Sequence, residues 1–425
     1  MRGSATRPMR FLQPVLSAVQ FHDRLILLGL FLLFTILRMP AIAIDGRFWA
    51  EEGKLFYVHA ATTPWLQAVF FSYAGYMNLG ANMAAVAARH FVSFDDAPRV
   101  TFVFALLAQI CPAILLVTSN APWLRSRVSL AAALLILVAA PSAEEVWLNS
   151  LHSQFQLALC AALILALDIQ PGIREIFRRA LLFLGPLYGM VAIVVLPLFI
   201  LRAVIDRSRA RLIQALILAS GSAIQLSLFY QVFPGRQHFD FKLILGTFFA
   251  KNVVLPFLGF DASAPIISWL HTALDQGYLP IAVAVVVLLT VLTLLLLMFR
   301  AQAASWWLGL AFGMIAAISY YGALNASPAQ VEPHLGGRYA FVPQVLFAWA
   351  LIVVATSGHG LRNWIGSALV VWLIVTGVGC YLHPGSSFSA EPNWREEAAK
   401  WHRDPAYSPL IWPGGWLIPM PLPPA

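Results

Sequence analysis

Two adjacent glutamates, Glu51 and Glu52, sit in the stretch DGRFWAEEGKLFY, residues 45–57, with aromatic residues on both sides. A carboxylate there has two chemical uses. It can take the proton of an attacking hydroxyl. It can also hold a divalent cation with a second carboxylate, for which Asp45 is the near candidate. Asp45-Gly46 reads as a turn, and a helix is expected to begin near Trp49. On that helix Glu52, Phe56 and His59 share one face, while Glu51, Leu55 and Thr62 share another. Only one of the two glutamates can then face a given spot, and the sequence leaves open which. Acids also favour the first turn of any helix, with no function attached.

Two further stretches carry polar groups where apolar residues are expected. AEEVWLNSLHSQFQL, residues 143–157, interrupts an apolar hairpin with Asn149, His152, Gln154 and Gln156, all able to reach a sugar. EPHLGGRYAFVPQ, residues 332–344, places Arg338 after Gly336-Gly337, where a ligand can approach the backbone closely. Arg338 opens an apolar helix on the side where basic residues are disfavoured. It can clamp a phosphate through two N–H groups, or it can simply snorkel to the interface. Arg47, Lys54, Arg236, His238 and Lys242 add positive charge to the same side.

The elements that must position these residues are membrane helices. The chain of 425 residues is 60% hydrophobic and 11% charged, against about 25% charged in soluble domains. Its net charge of +8 comes from basic residues beside apolar runs. That pattern orients membrane segments and does not describe a nucleic-acid-binding surface. Cys111, Cys160 and Cys380 lie inside apolar segments without ligand-like spacing, so neither zinc nor a disulfide framework is indicated.

Apolar runs at 24–44, 101–118, 128–140, 154–168, 210–233, 278–299, 304–323, 338–356 and 362–381 read as spans, with a weaker one at 78–93. The first is read as a span in preference to a signal peptide, although Arg2, Arg7 and Arg10 precede it and Ala41-Ile42-Ala43 mimics a cleavage site. Segment 180–201 has arginines at both ends and Gly185-Pro186, Gly189 and Pro197 inside it. It reads either as two half-helices entering and leaving on one side or as one plain spanning helix; residues 241–258 read as an amphipathic or interfacial helix. The arginine pattern puts 45–77, 141–153, 234–277, 324–337 and 382–425 on the outer side. It requires an odd number of crossings between 78 and 118, where two candidates lie. Nearly every acid outside the cytoplasmic loops then falls on the outer side and none mid-membrane, which weakens an ion-coupled transporter.

The expected architecture is all-α: a polytopic transmembrane bundle of about 10–12 membrane segments with outer juxtamembrane helices. Residues 1–381 form the membrane domain, with its first outer loop at 45–77. Residues 382–425 form a short outer tail rich in Trp and Pro, packed on that domain.

A first spanning helix followed by DGRFWAEEG, then SYAGYMNLG at 72–80, the NSLHSQFQL hairpin and the GGRYAFVP helix start together resemble the GT-C superfamily of membrane glycosyltransferases. The resemblance covers most of the chain in layout, through loose motifs. It implies an inverting transfer of a sugar from a polyprenyl-phosphate donor to a hydroxyl of a glycan or lipid, at the outer (periplasmic) face of a bacterial inner membrane. It assigns the base to a first-loop carboxylate, Glu51 or Glu52, with Asp45 nearby. Substrate contacts would come from His152, Gln154, Asn149, Arg338, Tyr339, His334 and Lys54. No cofactor is assigned beyond a divalent cation (Mg, Mn or Ca) in some members, and the metal ligands stay open. The implied partners are the lipid-linked donor, the acceptor and membrane lipids, with no nucleic acid. Relatives often carry Asp where this chain has Glu52 before Gly53. The competing readings are a non-enzymatic lipid or polysaccharide transporter, which would show paired broken helices in symmetric halves, and a scaffold without a site.

Overall fold

A computed structural model describes residues 19–231, 239–323, 327–358, 360–385 and 392–422. Arg2, Arg7, Arg10, Arg236 and His238 lie outside them. Among the described residues the chain is all-α apart from two hairpins of two-residue strands, Ser72–Tyr73 with Tyr76–Met77 and Leu410–Ile411 with Trp416–Leu417. Seven helical stretches are long and apolar enough to cross a membrane, and Arg127–Ala139 and Ser153–Ala166 are shorter apolar helices. This is an integral membrane protein.

The centre of the bundle is built from two helices that are apolar all round, the pattern of a helix with no solvent face. Every residue of Ser153–Ala166 is buried. Gly337–Ala355 is buried from Ala340 to Val354. Both begin at the same end of the molecule, so the residues at their N-termini, His152 and Arg338, arrive there together.

The first helix, Phe21–Leu37, ends earlier than the expected 24–44 span. Pro40 starts a new short helix, Pro40–Asp45, because proline tolerates only a first-turn position. Leu79–His90 has 12 residues, too few to cross a bilayer. That leaves Ala97–Thr118 as the one crossing between 78 and 118, the odd number the arginines require.

Segment 180–201 breaks as its glycines and prolines indicate. Ile173–Tyr188 stops at Gly189, a tight turn covers Val191–Val195, and Leu196–Asp206 returns. Arg178 on the outgoing helix donates to the Asp168 carbonyl at 2.6 Å. Arg202 on the returning one comes within 3.8 Å of the Asp168 carboxylate. Both helices therefore meet at one end, with their break at the other.

A second folded-back pair corrects the reading of 241–258 as a lone interfacial helix. The chain is helical over Phe241–Asp275 but reverses at Gly259, whose φ of 73° is open to glycine. Lys242 donates to the Gly277 carbonyl at 2.7 Å, and Gly246 packs against Leu270 and Leu274. The two halves run antiparallel. Nothing in the sequence but one glycine among apolar residues signalled the reversal.

The tail folds onto the first loop. Asn393 caps the helix Trp394–Arg403 through Arg395 N–H at 2.9 Å. Trp394 packs edge-on against Phe48, ring centroids 5.3 Å apart. The Trp412 N–H donates to the Phe48 carbonyl at 3.1 Å, and the Ala50 N–H donates to the Trp412 carbonyl.

Candidate functional site

The loop DGRFWAEEG does not start a regular helix at Trp49. Ala50 has φ 34°, and a π-helical turn covers Glu52–Tyr57. This kink parts the two glutamates more sharply than helical spacing would.

Glu52 turns inward and is 2% exposed. Its carboxylate accepts the N–H of Trp49 at 2.9 Å, of Ser150 at 2.7 Å and of Leu151 at 3.2 Å, together with the Ser150 hydroxyl. Burial raises its pKa despite those donors. It rivets the first loop to segment 148–152.

Glu51 turns the other way, into a cavity of about 660 Å³. It is half-buried, and among the described residues its carboxylate has neither hydrogen bond nor ion pair.

The polar end of that cavity is lined by Glu51, Tyr73, Tyr76, His152, Gln154, Arg338 and Tyr339. Its other walls are mainly apolar: Met190, Val191, Ile193, Val194 and Pro197 from the break between the paired half-helices, and Met314 and Ile318 from Ala303–Ala323, which also brings Ser319 and Tyr321. Five residues expected at the site thus meet: Glu51, His152, Gln154, Arg338 and Tyr339.

His152 is 4% exposed. Its Nδ1 donates to the Glu145 carbonyl at 2.7 Å, which leaves Nε2 as the unprotonated nitrogen. Burial and then Arg338 hold its pKa down at about 4, so the ring stays neutral at ordinary pH. Gln154 fits because position 189 is glycine. A Cβ there would lie 2.1 Å from Gln154 Oε1.

Tyr76 and Tyr73 stand on the SYAGYM hairpin, whose turn residues Ala74 and Gly75 both have positive φ. Gln225 pins that hairpin from both sides of Met77, accepting its N–H at 3.2 Å and donating to its carbonyl at 2.7 Å. Burial pushes the Tyr76 phenol up to about 12, keeping it a neutral donor.

Arg338 does not simply snorkel. Its Nη1 binds Glu145 Oε1, and its backbone N–H donates to Glu145 Oε2 at 2.9 Å. The guanidinium lies 4.7 Å from the Tyr339 ring centroid and its side chain is 33% exposed. Its remaining N–H groups are the donors available to a ligand. Burial alone would raise the Glu145 carboxyl, but the charge and hydrogen bonds of Arg338 lower its pKa.

Three functional supports were missed in the sequence. Glu145 was one acid of an adjacent pair, Tyr76 one aromatic among many, and Lys251 one basic residue in an apolar run. Lys251, 1% exposed, donates to the carbonyls of Glu332, Pro333 and Leu335, at 3.1 Å for Pro333 and 2.7 Å for Leu335. It fixes the turn that delivers Arg338.

The other expected site residues lie elsewhere. Asp45 pairs with Arg395 of the tail at 2.7 Å. The Lys54 ammonium sits over the Trp416 ring, 5.2 Å from its centroid. His334 stacks on Phe260 and faces Glu144 at 3.5 Å. Asn149 is buried behind His152, accepting its N–H at 3.3 Å, and Gln156 is buried in the bundle. Each is polar for a packing reason that a one-dimensional pattern does not separate from a binding reason.

A divalent cation held by Asp45 and a first-loop glutamate does not fit this arrangement. Among the described residues no three His, Cys, Asp or Glu side chains come together as ligands. Glu51 is the one carboxylate among the residues lining the cavity.

No family model matches the chain, and no curated protein matches it. Among solved structures it is similar to the crystal structure of ArnT from Cupriavidus metallidurans in the apo state. The identity is 15%, covering 84% of this chain and 74% of that one, with a TM-score of 0.41. A likeness at that level carries no function over to this chain.

Proposed function

We propose that this protein is a membrane glycosyltransferase. It moves a sugar from a polyprenyl-phosphate donor to a hydroxyl of a glycan or lipid, with inversion, at the outer face of a bacterial inner membrane. The observation that carries the reading is a carboxylate, Glu51, without a hydrogen bond or ion pair among the described residues, in a cavity whose polar end also holds Arg338 and whose remaining walls are mainly apolar.

Each part has a role in that chemistry. Glu51 accepts the proton of the acceptor hydroxyl as its oxygen bonds to the anomeric carbon. The bond from that carbon to the phosphate oxygen breaks, and the electron pair leaves on the phosphate. Arg338 stabilises the charge that develops there. The N-termini of Ser153–Ala166 and Gly337–Ala355 add their positive dipole ends. Neutral His152, Gln154 and the Tyr76 hydroxyl suit sugar hydroxyls. The apolar wall of Met190, Ile193, Val194 and Pro197 suits the first isoprenes. No step requires a metal.

The test is transfer by the purified protein of labelled sugar from a polyprenyl-phosphate donor to a hydroxyl acceptor. Glu51→Gln should reduce the rate roughly 10²–10⁴-fold, the usual worth of a general base, and leave the thermal unfolding temperature unchanged. Full activity in Glu51→Gln would remove the base. Movement of intact donor across vesicles without release of sugar would replace the enzyme with a transporter.

A further inference from the structure

We infer that the end of the bundle opposite the cavity holds a second lipid site, for a phospholipid with an anionic headgroup. Leu196–Asp206 and Arg209–Gln231 form an antiparallel pair joined at Arg207-Ser208. A groove of about 370 Å³ runs between them. Ala203, Ala215 and Ala219 form its floor, and Ile200, Val204, Leu212 and Leu216 form its exposed walls. From Arg209 to Ala219 it extends roughly 15 Å along the helix, long enough for much of an acyl chain.

The charges around the mouth say what covers this groove. Among the described residues three acids belong to the network around the groove mouth, and all are already engaged. Asp206 is shared by Arg202 at 3.2 Å and Arg211 at 3.4 Å. Glu175 binds Arg179 at 3.2 Å and Gln214 at 3.0 Å. Asp168 faces Arg202 at 3.8 Å. Arg207 and Arg209 are exposed, line the groove mouth on either side of Ser208, and have no ion pair among the described residues.

Two unneutralised guanidinium groups above an apolar groove match a phosphate joined to an acyl chain. Arg207 stands at the end of one helix with φ 48° and Arg209 begins the next. The backbone N–H groups of that first turn reinforce the preference for an anion. A zwitterionic lipid would bring its own cation to the arginines and lose most of this advantage. The inference does not depend on sugar transfer.

The experiment compares lipid retention by the purified protein, read by native mass spectrometry from mixed micelles of phosphatidylglycerol and phosphatidylcholine with identical chains. Phosphatidylglycerol should be retained preferentially. Arg207→Ala with Arg209→Ala should weaken that retention roughly thirty-fold, from a contribution of about fivefold per arginine near a surface. The double Lys variant should keep most of it. Ala219→Leu, which fills the groove and keeps both charges, should weaken it independently, and it decides the matter if the double Ala variant fails to fold. Equal retention of the two lipids by the parent would overturn the site. So would competition by free glycerol phosphate as effective as that of the whole lipid, which would mean headgroup capture without the groove. A shift to dimers that occludes the groove would make the occupant a second copy of this chain, and that too would overturn it.

Discussion

At the cavity end of the bundle, Glu52 and Lys251 are buried with backbone groups as their main hydrogen-bond partners. Glu52 accepts three backbone N–H groups and a hydroxyl, and Lys251 donates to three carbonyls. At the opposite end, Arg202 and Arg211 add a shared carboxylate, Asp206, to the Leu167 carbonyl that both also reach. Backbone dipoles cannot exchange partners, so the first arrangement fixes loops in one register. Charge pairing tolerates rearrangement and leaves a surplus of arginine. At the cavity end Glu52 and Lys251 thus hold turns, Glu51 has no hydrogen bond or ion pair among the described residues, and Arg338 keeps N–H groups beyond its pair with Glu145.

The comparison is sharpest at the two glutamates. Glu51→Gln should remove transfer and leave stability alone. Glu52→Gln should cost about 2–4 kcal/mol of stability, because hydrogen bonds to a buried charge are worth about 1.5–3 kcal/mol and an amide leaves donors facing donors. Parallel rates and unfolding temperatures in one detergent would check both. Equal loss of stability in the two variants would erase the division of labour.

Arg338 crosses the comparison, since it is both paired and in the cavity. Arg338→Ala should weaken donor dependence roughly 10- to 100-fold, and should also lower stability, because Glu145 is left buried and unpaired. Adding Glu145→Gln should restore stability without restoring the donor dependence. Arg338→Lys keeps the charge but loses the planar fork, so it should fall between Ala and the parent. Arg362→Ala, which removes a donor to the Phe299 carbonyl far from the cavity, should leave the donor dependence unchanged. Titrating the donor against each variant separates these outcomes.

The smallest effect concerns His152. Its pKa falls from 6.5 to about 4 in the folded chain. Between those values the unfolded chain binds a proton that the folded chain refuses. Stability from this group is therefore complete above pH about 6.5 and is lost as pH falls toward 4. His152→Asn should flatten that part of the profile of unfolding temperature against pH, and an unchanged profile would mean the ring is not held neutral.

Much of the fold was legible because membrane helices announce themselves by length. The paired half-helices around Gly189 were one of two readings of a segment with arginines at both ends and helix breakers between them, and Gly185-Pro186 turned out to lie inside a continuous helix. The reversal at Gly259 was not legible, because a glycine in an apolar run looks the same in a straight helix. At the site, Arg338, His152 and Gln154 stood out as polar residues at the starts of apolar helices, and such residues must find a cavity or a partner. Glu51 and Glu52 could not be separated, because the separation depends on the positive φ of Ala50 and the π-helical turn after it. Asp45, Lys54 and His334 misled for the opposite reason. Their partners, Arg395, Trp416 and Phe260, lie far away in sequence.

The tail's grip on the first loop sets the order in which the site can be made. A Cβ at Gly53 would lie 2.7 Å from Ile411 Cδ1 and 3.2 Å from Ile418 Cγ1, so tail side chains fill the space directly behind the glutamates. The loop reaches the membrane surface early in synthesis, whereas the residues that brace it emerge after almost every helix has been inserted. Throughout that interval the turn bearing Glu51 has no backbone partner at Ala50. The candidate site of the nascent chain is therefore unfinished until its late segment docks, and a membrane domain can be fully inserted while that cavity does not yet have its final shape.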